Sequence, residues 1–165
     1  MKVLKEFTIQ FANLKLGAHF YEFEVNNKFF EEFDWLDYTR SQFKVNVELT
    51  KQSTMLLLKF DFEGIIAVPC DRCLDEVEIN IEGSEQLIVK FGSEEYEETE
   101  EILVILEGEY ELNIAKYIYE FIQLNVPQKR IHAEGKCNPD VIKKLKSIEK
   151  EEVIDPRWSG LNKLK

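Results

Sequence analysis

The sequence has little of what a nucleic-acid coat or a membrane protein requires. Its 165 residues carry 21 Lys and Arg against 32 Asp and Glu, which gives a formal net charge of -11. Because a phosphate backbone repels an acidic surface, this balance argues against a protein that coats bare nucleic acid with its whole surface. No stretch approaches the roughly 20 apolar residues that cross a bilayer, so we expect no membrane segment.

A targeting segment is also missing, and cysteine is scarce. Residues 1–25 lack the basic start, apolar run and small-residue cleavage site of a signal peptide, so we expect a cytoplasmic protein. There are three cysteines. In a reducing compartment the close pair Cys70 and Cys73 indicates a metal or redox element before it indicates a structural disulfide. The length and the 44% hydrophobic content predict one domain over residues 1–165.

The charges that are present lie unevenly along the chain. Nine glutamates and no basic residue occur from Glu94 to Glu111, whereas residues 128–165 carry ten Lys or Arg against six Asp or Glu. A solvated surface is the simpler interpretation of both runs. The functional interpretation is that the acidic run binds a basic partner and that the basic tail contacts phosphate.

Alternation of apolar and polar residues predicts strands over most of residues 1–111. It is clearest from Phe43 to Leu49. One short helix is predicted around Phe29 and Phe33, and Gly64 is predicted to form a bulge in a long apolar strand. The predicted fold class is α+β, with a mostly antiparallel sheet that is strongly curved or barrel-like, a packed helix after the last strand, and short C-terminal helices.

The period changes to that of a helix in residues 112–165. A polar stripe on an apolar segment predicts a largely buried helix from Leu112 to Leu124, which ends before Pro127. A second helix is predicted from Pro139 to about Glu152, and Asp155-Pro156 has the chemistry of a further helix start. We therefore expect a helical second part that ends in a basic tail.

The turn Cys70-Asp71-Arg72-Cys73 is the strongest chemical signal in the sequence. Strands on both sides and Pro69 before it predict a hairpin tip, where two thiolates can bind one cation as half of a tetrahedral zinc site. His132 and Cys137 are the candidates for the other two ligands. The alternative that the cysteines are unmetallated thiols stays open. A thioredoxin-like role is disfavoured, because such chemistry places the first cysteine at a helix N-terminus.

The ingredients for catalysis are thin. His19 lies in a strand-like segment where a structural imidazole is the commoner role, and the abundant glutamates do not single out a catalytic pair. We therefore expect a protein that is not an enzyme. A second set of residues consists of candidates for phosphate or partner contacts: Arg72, Lys129, Arg130, Lys136, Lys143, Lys144, Lys146, Arg157 and Trp158.

Several of these segments together resemble the YceD family, whose members are called large ribosomal RNA subunit accumulation proteins. They are the turn from Val68 to Leu74, the helix that leads to Pro127, the segment from His132 to Cys137, and Asp155-Pro156-Arg157-Trp158. Many relatives have a second Cys-x-x-Cys after the position of His132, whereas this chain has only Cys137 there.

The resemblance implies a non-enzymatic role in the synthesis, processing or stability of large-subunit (23S) ribosomal RNA during ribosome assembly. The expected partners are the large-subunit RNA precursor, a ribosomal protein, or both. With a net charge of -11, contact through a protein or through the basic tail is favoured over contact with the whole surface. The alternative function is a protein-interaction module outside ribosome assembly that uses the acidic loop. The sequence does not determine the oligomeric state.

Overall fold

The alternating segments of the sequence become the strands of one sheet. The computed structural model describes residues 3–34, 37–92, 102–106 and 108–148. A short 3-10 helix, Val3–Phe7, precedes the strands and helices. In chain order these are β1 (Thr8–Ile9), β2 (Gly17–Asn26), α1 (Asn27–Glu31), β3 (Arg40–Lys51), β4 (Met55–Pro69), β5 (Glu76–Gly92), β6 (Ile102–Leu106), β7 (Leu112–Asn113), α2 (Ala115–Asn125) and α3 (Pro139–Ile148).

Five of the strands form the main sheet in the order β2-β3-β4-β5-β6, and β1 pairs with β7 separately. β2 to β5 are antiparallel, whereas β6 runs parallel to β5. The α+β class and the mostly antiparallel sheet are therefore confirmed. Within the described residues β2 and β6 are the two open edges, so the barrel-like or strongly curved form is not confirmed.

One face of the sheet carries the core, because alternate side chains of each strand point to the same side. On β3, Phe43, Val45, Val47 and Leu49 are all buried, as predicted from their spacing. α1 packs Phe29 and Phe30 against this face, and α2 contributes Ala115, Ile118 and Ile122. The opposite face carries mainly polar and charged side chains, with exposed Phe20 on β2 as an apolar exception.

The prediction of a bulge at Gly64 is wrong. The pairing of β4 is continuous through this residue, which lies opposite Phe43 on β3 and Ile81 on β5. A Cβ atom at Gly64 would lie 2.5 Å from the Phe43 ring, and one at Gly83 would lie 2.5 Å from the Phe62 ring. At Gly64 the Gln42 carbonyl oxygen would be closer still, so a backbone atom and a ring together exclude a side chain there, whereas at Gly83 the ring occupies the space.

Several predicted boundaries move. Leu112 and Asn113 form strand β7, so the buried helix begins only at Ala115, where the amide donates to the Asn113 side chain at 3.0 Å. Predicted alternation over residues 7–11 yields only the two-residue strand β1. α3 is described as far as Ile148, and the predicted helix start at Asp155 lies outside the described residues.

Whether residues 1–165 form a single domain stays a prediction. Among the described helices, none combines the length and apolar character needed to span a membrane.

Candidate metal centre

The turn between β4 and β5, residues 70–75, is built by backbone hydrogen bonds that return the chain on itself. The Cys70 amide donates to the Asp75 carbonyl at 2.9 Å, and the Leu74 amide donates to the Cys70 carbonyl at 2.9 Å. Leu74 has a φ of 64°, the left-handed conformation that closes such a turn. We call residues 70–75 the cysteine turn. It confirms the predicted hairpin tip and buries both thiols, with Cys70 0% and Cys73 4% exposed.

A second segment, residues 130–137, lies against the cysteine turn and is called the ligand segment. The Asp71 amide donates to the Arg130 carbonyl at 2.8 Å, and the Arg130 amide donates to Asp71 Oδ2 at 2.7 Å. Farther along, the Lys136 amide donates to the Ala133 carbonyl at 3.0 Å, which bends the segment back before Cys137. The two bonds between Asp71 and Arg130 join positions that are 59 residues apart in the chain.

The two segments bring Cys70, Cys73, His132 and Cys137 into one cluster whose ligand atoms all lie within 4.8 Å of one another. The Cys70 and Cys137 sulfurs are 4.0 Å apart, and His132 Nδ1 lies 3.4 Å from Cys73 Sγ and 3.9 Å from Cys137 Sγ. In a tetrahedral zinc site with bonds of about 2.0–2.3 Å, ligand atoms are about 3.5–3.8 Å apart. The donor set and its spacing therefore fit one tetrahedral metal ion.

Groups around the cluster orient its ligands in the way that metal sites require. His132 Nε2 lies 3.0 Å from the Glu76 carbonyl oxygen. With the proton on Nε2, that atom donates to the carbonyl and leaves Nδ1 free as a ligand. The Arg72 amide also lies 3.5 Å from Cys70 Sγ and donates to it. The backbone of the β4–β5 turn thus supports both a histidine and a cysteine ligand.

The thiols of the cluster have unlike acidities. Burial alone would raise the pKa of the Cys70 thiol, but hydrogen bonds from the Arg72 and Cys73 amides and from His132 outweigh it and lower that pKa to about 6. Burial raises the pKa of Cys137, and its hydrogen bonds to Cys70 and Cys73 raise it further. The geometry therefore favours a thiolate at Cys70, which is the form that binds a metal.

Charge balance accounts for the position of one arginine. Three thiolates around one Zn²⁺ would leave a formal charge of -1 in a buried place, which is costly unless it is paired. Arg72 Nη1 lies 3.9 Å from Cys137 Sγ, close enough to offset that charge. Arg72 was predicted to contact phosphate or a partner. That role stays a prediction, and its guanidinium group already faces the cysteine cluster.

Apart from Arg72, the described basic residues that were predicted to contact a partner lie after α2, on or beside the ligand segment and on α3. Arg130 is ion-paired with Asp71 at 3.6 Å. Five lysines of this set are exposed, one just before the ligand segment, one on it and three on α3: Lys129, Lys136, Lys143, Lys144 and Lys146. Arg72 and Lys146 line one hollow of about 540 Å³ together with Ile142, Leu145 and Ile148 of α3. Arg157 and Trp158 lie outside the described residues, as do seven of the nine glutamates in the run from Glu94 to Glu111.

Sequence reasoning missed the role of Asp71, whose amide and carboxylate both bind Arg130. It also missed a concave hollow of about 980 Å³ on the solvent face of the sheet, whose lining includes Glu22, Glu24, Glu63 and Glu82 together with Lys44 and Arg40. The signal for the hollow was present, because these glutamates occupy the polar positions of alternating strands. Only the register of three strand pairs could show that they meet.

The fold and the cluster define a class: an α+β protein in which a β-hairpin turn and a later loop form a Cys3His cluster whose geometry fits a metal ion. The model of one protein family, described as large ribosomal RNA subunit accumulation protein YceD, matches residues 58–165, which is more than half of the chain. The chain therefore belongs to the YceD family. The matched range contains all four residues of the cluster. Neither the curated proteins nor the solved structures gave a significant match.

Proposed function

We propose that this protein is a non-enzymatic factor in the synthesis, processing or stability of large-subunit ribosomal RNA, acting in the cytoplasm during ribosome assembly. The observation that carries the proposal is the family match, because it spans the cysteine turn, the ligand segment and the helices after them. The name of the family supplies the link to ribosomal RNA. Partner contact by the basic residues around the cysteine cluster is part of the proposal.

Zinc is the metal that we propose for the cluster. Three thiolates and one imidazole are a donor set that suits zinc, and four protein ligands leave no open position for a substrate or for metal-bound water. When bound, the ion would hold the β4–β5 turn against the ligand segment. In this proposal its role is structural, since α3 begins at Pro139, two residues after Cys137, and is held in place with it.

The basic side chains would then form one surface of defined shape. Lys136 adjoins Cys137, whereas Lys143, Lys144 and Lys146 lie on α3, and all four are exposed. From residue 128 to residue 148 there are six basic and two acidic residues, in a chain whose net charge is -11. This local surplus of positive charge favours contact with RNA phosphate or with an acidic partner surface.

Metal analysis of the full-length protein tests the zinc proposal. We expect close to one equivalent of zinc in protein purified without chelator, and loss of most of it in the variant His132→Gln. The matched control is His19→Gln, which changes the other histidine. Like His132, His19 has its Nε2 at hydrogen-bond distance from a backbone carbonyl oxygen, that of Lys15 at 2.8 Å. Metal below about one-tenth of an equivalent in the unmodified protein would contradict a closed site.

Depletion in cells tests the cellular role. We expect loss of the protein to lower mature large-subunit RNA relative to small-subunit RNA, and re-expression to restore it. Re-expression of Lys143→Ala/Lys144→Ala/Lys146→Ala should restore it less well than the unmodified chain, with Lys15→Ala/Lys28→Ala/Lys90→Ala as the charge-matched control. An unchanged ratio of the two RNAs after depletion, in cells without a second family member, would refute the role.

A further inference from the structure

The strand β2 is a long edge with an unused hydrogen-bonding side. It is the outermost strand of the main sheet and pairs only with β3, without a break from Gly17 to Asn26. No other strand in the described ranges pairs with it. Edge strands are usually protected by proline, lysine, a bulge or short length. The ten residues of β2 contain none of these, so within the described part of the chain their outward N–H and C=O groups are open to another strand.

The core side of β2 is incompletely covered. Tyr21 and Phe23 point to the core face but are only partly buried, whereas Val45 and Val47, beside them on β3, are 0% and 1% exposed. The Tyr21 and Phe23 rings are stacked with centroids 6.4 Å apart. An added strand with apolar side chains on this side would bury the two rings and extend the core.

The solvent side of β2 has an excess of carboxylates. Lys44 on β3 lies directly opposite Glu24 on β2 and Glu63 on β4, and its amine is 3.2 Å from Glu22. Glu82 lies directly opposite Glu63. Four glutamates thus line the hollow described above against two basic residues, Lys44 and Arg40, and Arg40 is already ion-paired with Glu78 outside the lining. Like charges opposite each other destabilise a sheet, so this arrangement favours an incoming cation.

The same charges argue against a second copy of this chain as the occupant. Antiparallel pairing of β2 with its own copy would bring Glu22 and Glu24 of both chains to one side of the joined sheet. That arrangement adds like charges to an already acidic hollow. A segment with basic residues on that side and apolar residues on the other fits both sides of the edge.

We propose that the outer edge of β2 binds an extended polypeptide segment in which basic and apolar residues alternate, which adds to the sheet as a further strand. Its backbone would pair with the outward groups of β2, its apolar side chains would cover Tyr21 and Phe23, and its basic side chains would face Glu22 and Glu24. In strand addition of this kind, main-chain hydrogen bonds provide the affinity and contacts of alternate side chains provide the specificity. The proposal does not depend on the proposed function, and β2 lies outside the range matched by the family model.

Binding of synthetic peptides to the full-length protein tests the proposal. The probe is a ten-residue peptide of alternating lysine and valine. One control has five lysines followed by five valines, which keeps composition and charge but loses the alternation, and the other alternates glutamate and valine. We expect the probe to bind on the order of tenfold more tightly than the block peptide, and to slow hydrogen exchange of the β2 amides. Equal affinity for the two lysine peptides would overturn the proposal, as would exchange in β2 that the probe leaves unchanged.

Charge reversal on the strand gives the second measurement. The pair Glu22→Lys/Glu24→Lys should weaken binding of the probe on the order of tenfold. The control pair Glu109→Lys/Glu134→Lys changes two exposed glutamates of other segments and alters the net charge equally. Equal loss of affinity in the two double variants would mean that the probe is attracted by the net charge of the protein, and this would contradict binding at the β2 edge. Strong protection of the outward-facing β2 amides before any peptide is added, in a monomer or a dimer, would also reject it, because the edge would already be covered.

Discussion

The body of the sheet and the cysteine turn at its end are held together in different ways. In the body, β3, β4 and β5 bury apolar side chains at most positions of the core face, and each side chain contributes a small part of the stability. At the cysteine turn, four side chains from two distant segments converge on one point. The body should therefore tolerate many single changes in part, whereas the metal centre should depend on every ligand at once.

The largest expected effect is the loss of stability on truncating a core side chain in the body of the sheet. Phe60 is 0% exposed and its ring lies 5.1 Å from that of Phe121 on α2, so Phe60→Ala should lower the free energy of unfolding by about 3–5 kcal/mol. Denaturant titration measures this. Phe20→Ala, at a residue that is 76% exposed, should change it by less than about 0.5 kcal/mol.

Zinc binding by folded Phe60→Ala protein should stay at the level of the unmodified chain, because the side chain is not part of the cluster. Loss of metal in this variant while it is still folded would show that the two regions are coupled more closely than their contacts indicate.

Removal of the proposed zinc ion should act on the cysteine turn rather than on the body of the sheet. A metal present at a hundred times its dissociation constant stabilises the bound form by about 2.7 kcal/mol. Chelation should therefore lower the local opening free energy by at least about that amount at the amides of Asp71, Leu74 and Arg130, which bond within and between the two segments.

Hydrogen exchange with and without chelator measures this effect, and the amides of Val47 and Phe60 in the paired strands β3 and β4 serve as the internal control. They should keep their protection. Unchanged exchange in the cysteine turn of protein shown to lose its metal would mean that hydrogen bonds alone hold the two segments together.

The smallest expected effect concerns Tyr38, which packs on Phe30 of α1 and donates to the Gln123 side chain on α2 at 3.0 Å. Burial raises the pKa of Tyr38 to about 12 from an ordinary value of 10. Because the folded state holds this proton more tightly, the contribution of Tyr38 to stability is complete below pH 10 and is lost as the pH rises towards 12. We expect a loss on the order of 1 kcal/mol across this range.

Unfolding titrations at pH 9 to 12 measure the loss, with Tyr38→Phe as the comparison. The variant lacks the ionisable hydroxyl, so its stability should fall less steeply with pH than that of the unmodified chain. Parallel curves for the two proteins would assign the decrease to other groups.

The sequence by itself determined the strands, because alternation of apolar and polar residues needs only the two-residue period of an extended chain. It also determined the hairpin tip at Cys70 to Cys73 and the set of four possible ligands, since Pro69 ends a strand and the chain has no other cysteine and one other histidine. The family followed from the same residues, and the family model confirms it.

Only the tertiary structure decided what depends on contacts between distant segments. Bonds between Asp71 and Arg130 set the distances within the cluster, and no local pattern encodes them. The strand runs without a break through Gly64, where a bulge was predicted, and the Phe43 ring lies over this glycine. Strand order likewise made β2 an edge and gathered Glu22, Glu24, Glu63 and Glu82 on one side. Alternation says which residues share a face of a strand, but the strand beside it is decided by long-range pairing.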